Sequence, residues 1–215
     1  MPNDRRPFTT LHHRSWLVAA AFALVAAACA ENSAAPASRS VTPDVEAALS
    51  RASAASFALP NSFLAQGLMR EKPLTKDVVV TQVIDRNGGK IQVPGTDLEL
   101  EIPKRAFDAS SMTFTIRAHA GMAVAYDFEP HGAVFNVPLK FTQKLGHTNL
   151  KGVKPLPGFV EQLSAAYFPS ADLVDPITGL AVVTEFFSVD LTWSKDELSF
   201  PIRHFSGYMI CTGRQ

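Results

Sequence analysis

From Lys76 onward, apolar and polar side chains alternate with the period of two that sends successive residues to opposite faces of a β-strand. The β-branched run Val78, Val79, Val80, Thr81 continues to Ile84 and meets the turn residues Asn87, Gly88 and Gly89, from which a hairpin partner is expected to return through Ile91 and Val93. Leu98, Leu100 and Ile102 alternate with Glu99 and Glu101, which places three aliphatics on a core face and two carboxylates in solvent. Phe114 and Ile116 alternate with Thr113, Thr115 and Arg117, and Tyr126 and Phe128 with Asp127 and Glu129. Pro130, Gly132 and Pro138 break the pattern and turn the chain so that Phe135 re-enters the core. Strand-like runs resume at residues 180–187, 189–193, 198–202 and 205–211, after the turn Asp175, Pro176, Ile177, Thr178, Gly179. Gly146 to Phe159 carries no strand pattern and reads as a surface loop. The expectation is all-β: an antiparallel β-sandwich over residues 75–215 with almost no helix.

The first 28 residues have a different logic. Arg5, Arg6 and Arg14 precede an Ala-rich apolar run from Trp16 to Ala28, shorter than the roughly 20 residues needed to span a bilayer but suited to a signal peptide. Val25, Ala26, Ala27 and Ala28 before Cys29 resemble a bacterial lipobox, which implies cleavage before Cys29 and a lipid on its thiol. Ala26 stands where Leu is commonest, so cleavage by ordinary signal peptidase is the alternative. Arg5, Arg6, Pro7 and Phe8 also resemble part of a twin-arginine signal, and either export route ends outside the cytoplasm. With Ala30 after the cysteine, a lipidated chain in a double-membrane host is expected at the outer membrane; the unlipidated alternative is periplasmic or secreted.

Residues 29–74 read as a tether. Their first half is Ala, Ser and Pro, which buries too little apolar surface to offset the entropy of ordering. Thr42, Pro43, Asp44 and Glu46 form a helix-start signature for a short helix to Ala54. Phe63, Leu64, Leu68 and Met69 are expected to dock as one helical turn or an irregular segment.

Charge narrows the functional classes. Twenty basic and twenty acidic residues cancel at neutral pH, and the basic ones are spread along the chain, which argues against nucleic acid. The two cysteines, Cys29 and Cys211, leave no intramolecular disulfide if the first is acylated. The histidines lack paired metal-ligand spacing, and Asp172 with Asp175 reads as turn capping before weak calcium binding. No cofactor is expected.

The runs NGGKIQV (Asn87 to Val93), LELEIPKRAF (Leu98 to Phe107) and YDFEPHGAVFNVP (Tyr126 to Pro138) resemble, in order and spacing, the ZU-five domain named for zonula-occludens proteins and uncoordinated-type netrin receptors. HFSGY, from His204 to Tyr208, resembles the last strand of such domains. The resemblance implies a sandwich whose halves are joined through the loop near Gly146. In some eukaryotic relatives a His-Phe-Ser sequence cleaves itself; carried onto this chain, Ser206 is the nucleophile, His204 the base and Phe205 the acyl donor. The alternative is a final strand with Phe205 buried and His204 and Ser206 on the opposite face.

These readings converge on an exported β-sandwich, lipid-anchored through Cys29, that acts as a non-catalytic interaction or structural module for envelope proteins. Two alternatives stay open. One is self-cleavage at Phe205–Ser206, and the other is glycan binding on Trp193, Tyr126 or Tyr167.

Overall fold

In the computed structural model the described residues are 61–153 and 163–214, and among them strands form without any α-helix. The expected signal peptide, Cys29, residues 30–60 with the short helix expected there, and residues 154–159 of the expected loop lie outside the described residues. Fifteen strands follow one another: β1 (Phe63–Gly67), β2 (Met69–Leu74), β3 (Val78–Asp85), β4 (Gly89–Val93), β5 (Leu98–Ile102), β6 (Ser111–Ala118), β7 (Gly121–Ala123) and β8 (Ala125–Glu129), then β9 (Val134–Lys144), β10 (Ser164–Phe168), β11 (Leu180–Val183), β12 (Glu185–Phe187), β13 (Asp190–Thr192), β14 (Glu197–His204) and β15 (Gly207–Arg214).

The strands form an antiparallel β-sandwich. One sheet has eight strands, in the order β11-β1-β15-β8-β6-β3, with β10 branching from β15 and β12 pairing with β10. The other has five, in the order β13-β14-β9-β5-β4, and β2 and β7 make a separate two-stranded ribbon. The main core draws from both sheets: Ile91, Leu98, Leu100, Ile102, Phe141 and Phe200 from the five-stranded sheet, and Phe114, Ile116, Tyr126, Phe128, Tyr208 and Ile210 from the eight-stranded one. Alternation therefore does what the pattern required. Leu98, Leu100 and Ile102 are buried, while Glu99 and Glu101 face out toward Lys90 at 2.7 and 3.6 Å.

Three expectations need correction. Val78–Asp85 and Gly89–Val93 are not hairpin partners, because β3 pairs with β6 along its whole length and β4 pairs with β5. The Asn87–Gly88 turn carries the chain from one sheet to the other. Asp85 caps the Asn87 amide at 2.7 Å, and Gly88 takes a φ of +84° where a Cβ would sit 2.3 Å from the Ile102 carbonyl oxygen. Residues 63–74 are not a helical turn or an irregular segment on the surface, since β1 sits between β11 and β15 and β2 pairs with β7. Their main-chain groups find strand partners, which one turn of helix would leave half unsatisfied. HFSGY is not one strand either. β14 ends at His204 and β15 begins at Gly207, so Phe205 and Ser206 form the connection between two strands of different sheets.

A second cluster explains why several strands lack alternation. Ala65, Ala166, Phe168, Ala181, Val183, Met209 and Cys211 pack on the other face of the eight-stranded sheet. Strands buried on both faces read as continuous apolar runs, as in LAVV of β11.

Candidate functional site

The most chemically loaded place in the described residues lies where β2 meets the end of the sandwich. Main-chain pairing fixes β2 on both sides: Met69 pairs with Ala123 of β7, and the Glu71 amide donates to the His147 carbonyl at 2.9 Å. A bridge between Arg70 and Thr148 lies on that second side. Strand alternation then turns Arg70 inward, between half-buried Met69 and exposed Glu71. Its side chain is 5 % exposed, and its guanidinium lies over the Tyr126 ring, 5.8 Å from the centroid.

The surroundings of Arg70 are unusual for a buried cation. Nη1 donates to the Ala123 carbonyl, and the carbonyls of His119 and Gly121 stand 3.5 Å from the same nitrogen. Nε and Nη2 are buried and make no hydrogen bond of good geometry, with the Tyr126 hydroxyl close enough to favour the charged guanidinium. Buried arginines are ordinarily paired with carboxylates, because a charge taken out of water costs several kcal/mol unless compensated. Burial accordingly depresses the Arg70 pKa, opposed by the adjacent Tyr126, while the guanidinium remains cationic. Burial in turn raises the Tyr126 pKa, and Arg70 opposes that shift.

Arg70 forms part of the wall of a cavity of about 470 Å³ that is also lined by Lys72, Thr96, Asp97, Gln143, His147 and Lys151. The β4–β5 turn supplies one wall. Thr96 Oγ1 donates to the Val93 carbonyl at 2.8 Å and holds the turn, and the Thr96 carbonyl accepts from Gln143 Nε2 at 2.8 Å. The Tyr126 hydroxyl donates to Gln143 Oε1 at 2.7 Å. Gln143 is thus a buried polar residue in β9 with both ends of its amide engaged. On the rim, His147 Nδ1 lies 2.6 Å from Asp97, and Lys151 lies 3.5 Å from Glu71.

A second polar group lies nearby. Asp77 accepts from the Ala120 amide at 2.9 Å and pairs with Arg117 at 3.1 Å, and the amide bond leads the causes that lower its pKa. His119 Nε2 lies 3.0 Å from the Asp127 carboxylate, an ion-pair separation without hydrogen-bond alignment.

The residues singled out from sequence have plainer environments. Phe205 is buried among Phe114, Phe128 and Phe135, with ring centroids at 5.3, 5.4 and 4.7 Å. Its amide donates to the Ala133 carbonyl at 2.8 Å and its carbonyl accepts from the Gly132 amide at 3.0 Å. His204 engages Tyr208, whose hydroxyl is 3.2 Å from Nδ1 and 2.8 Å from the His204 carbonyl. Ser206 is buried, so His204 and Ser206 do not share an open face. Tyr126 is fully buried and offers no stacking platform, whereas Trp193 and Tyr167 are half-buried and Tyr167 packs against His204 and Tyr208. Asp175 caps the Ile177 and Thr178 amides at 2.9 Å each, and Asp172 accepts from Ser170. Among the described residues no cluster of three His, Cys, Asp or Glu side chains is arranged to hold a metal ion.

Sequence reasoning passed over Arg70. In MREKP it looks like one of several mixed surface charges, and only the pairing of β2 with β7 turns it inward. No family model matches the sequence, and no curated protein is significantly similar to it.

Proposed function

We propose that this chain is an exported, lipid-anchored binding module of the cell envelope, non-catalytic, held at the membrane by a lipid on Cys29 and built on a ZU-five-like β-sandwich. The observation that carries the binding role is Arg70, a buried cation with two idle donors beside a cavity that it helps to line. Such an arrangement costs stability, and a site that engages a partner gives that cost a use. The basic, Ala-rich leader that stops at Cys29 supports export and anchoring. Phe205 and His204 are tied into the sandwich by packing and hydrogen bonds, which favours a structural role for the HFS triplet over self-cleavage.

The test uses full-length protein made with its own leader in a bacterium that processes lipoproteins. The denatured mass should match a chain from an acylated Cys29 to Gln215, and the protein should sediment with membranes; Cys29→Ala should abolish both. A soluble, unacylated chain overturns the anchor, and a fragment beginning at Ser206 replaces the module with a self-processing domain. For the binding role, a photo-crosslinker at His147, on the cavity rim, should label a discrete envelope component that one at the remote Glu101 does not. Equal labelling from both positions overturns it.

A further inference from the structure

We infer that the cavity beside Arg70 is a receptor for a single carboxylate, carried by a free organic acid or by the C-terminus of a peptide. This rests on the binding role above and names the chemistry of its ligand.

The argument starts from which guanidinium nitrogens are idle. Nη1 faces main-chain carbonyls of the β6–β7 connection and β7. The two that make no hydrogen bond of good geometry, Nε and Nη2, share the other edge of the planar group, where their N–H bonds run parallel. That edge is the side-on fork which matches the two oxygens of a carboxylate. An arginine needed only to fill space or to pair with carbonyls has no use for an unoccupied fork.

Charge then sets the sign of the ligand. Arg70, Lys72 and Lys151 face Glu71 and Asp97 around the cavity, three cations against two carboxylates. Lys151 is paired with Glu71, and Asp97 with His147. The lining thus carries one more Lys or Arg than it has carboxylates, which suits an anion. Lys72 is exposed on the rim, at the mouth an anion would cross.

Size and lining agree. A volume of about 470 Å³ lies within the roughly 300–1,000 Å³ typical of small-ligand pockets. Val124 adds an apolar surface for the ligand body, and Thr96, Asp97 and Gln143 add polar residues to the lining. Nε and Nη2 are closed to solvent, so a carboxylate reaches them by displacing part of the wall. Binding should therefore be felt at the main chain of the lining turns as well as at Arg70.

The experiment is an NMR titration of the full-length protein in detergent, following the Arg70 Nε–H and the amides of Thr96, Asp97 and His147. The probes are hexanoate, hexanamide, N-acetyl-Ala-Ala, its C-terminal amide, and inorganic phosphate. Hexanoate or N-acetyl-Ala-Ala should shift Arg70 and the turn amides at millimolar concentration, and the amides of the same shape should not. The stronger of the two acids identifies the source as free acid or chain end. Arg70→Lys keeps the charge without the fork and should weaken binding about ten-fold or more. No shift with either acid overturns the inference, as do equal shifts with hexanamide or tighter binding of phosphate. The wild-type comparison of acid with amide decides the matter even if the variant fails to fold. A membrane-anchored, envelope-crosslinking protein that ignores both acids keeps the wider binding role and loses only this ligand.

Discussion

The Tyr208 hydroxyl donates to the main-chain carbonyl of His204, 2.8 Å away, and so ties the start of β15 back to the last residue of β14. The bond crosses the only two residues between these strands, which belong to different sheets. A buried tyrosine that closes such a corner holds the sheets in fixed relation. Tyr208→Phe keeps the ring and its contacts with Phe128 and Phe187 but removes the bond. Unfolding in urea should show a loss of about 1 kcal/mol.

The same bond bears on cleavage at Phe205–Ser206. His204 is held against Tyr208, and the Phe205 carbonyl is already bonded to the Gly132 amide. Mass spectrometry of purified protein should show a chain that still ends at Gln215 after prolonged incubation. Ser206→Ala should change that mass only by the substituted oxygen. A fragment starting at residue 206 that the variant abolishes would refute this.

Both core tyrosines predict alkaline sensitivity. Burial raises the pKa of Tyr126, and burial followed by Glu185 and Tyr167 raises that of Tyr208. The folded state therefore keeps protons that the unfolded chain releases above its ordinary tyrosine value of about 10. This contribution is complete below that pH and is lost as pH rises toward the folded-state values. Between about pH 10 and 11, stability should fall by up to ~1.4 kcal/mol per pH unit for each tyrosine still protonated in the fold. Urea titrations across that range should show a shallower slope in Tyr126→Phe and in Tyr208→Phe than in the parent.

Gly207 and Gly213 lie in the same strand and should respond oppositely to alanine. At Gly207 a Cβ would meet the Phe168 ring at 2.3 and 2.5 Å and the Phe168 carbonyl oxygen at 2.6 Å. Because β10 pairs directly there, Phe168 opposite Gly207, the backbone cannot withdraw without breaking the register. Gly207→Ala should cost about 1–3 kcal/mol by overpacking. At Gly213 nothing lies within 4 Å, and Gly213→Ala should be neutral or slightly stabilising through the unfolded state. Thermal melts of the pair under one condition check this.

The strands legible in the sequence are those with one wet face. Leu98–Ile102 and Phe114 with Ile116 alternate because water lies on one side and the main core on the other, and in β8 Tyr126 and Phe128 enter the main core while half-buried Asp127 and exposed Glu129 turn away from it. The Ile102–Pro103 strand end and the burial of Phe107 and Phe135 follow equally from local chemistry. Ser164–Phe168 went unseen because SAAYF is buried on both faces, Ala165 toward one cluster and Ala166 toward the other. The Asn87–Gly88 turn was correctly placed, yet turn residues say nothing about which sheet the next strand joins. Arg70 was illegible for a related reason: its environment is made by Ala123, Val124 and Tyr126, some fifty residues away, and by His147 and Thr148 beyond them. Local pattern reports which face a residue prefers, and a charged residue forced inward by its strand's partners contradicts it.

That contradiction gives the final prediction. If the Arg70 charge is kept for a ligand, the folded protein should not need it. Arg70→Met retains the length of the aliphatic stem over Tyr126 and removes a buried charge that has no carboxylate partner. Against this, the Ala123 carbonyl loses a donor, at a cost of roughly 1–3 kcal/mol. Relief of the desolvated charge is worth several kcal/mol, and exchanges of buried ionic groups for apolar ones run from neutral to about 4 kcal/mol stabilising. Arg70→Met should therefore melt at or above the parent's temperature in ligand-free buffer. Hexanoate should raise the melting temperature of the parent and leave that of the variant unchanged, since a ligand stabilises only the form that binds it. A large loss of stability in Arg70→Met, with no effect of hexanoate on the parent, would make Arg70 a structural strut joining β2 to β7.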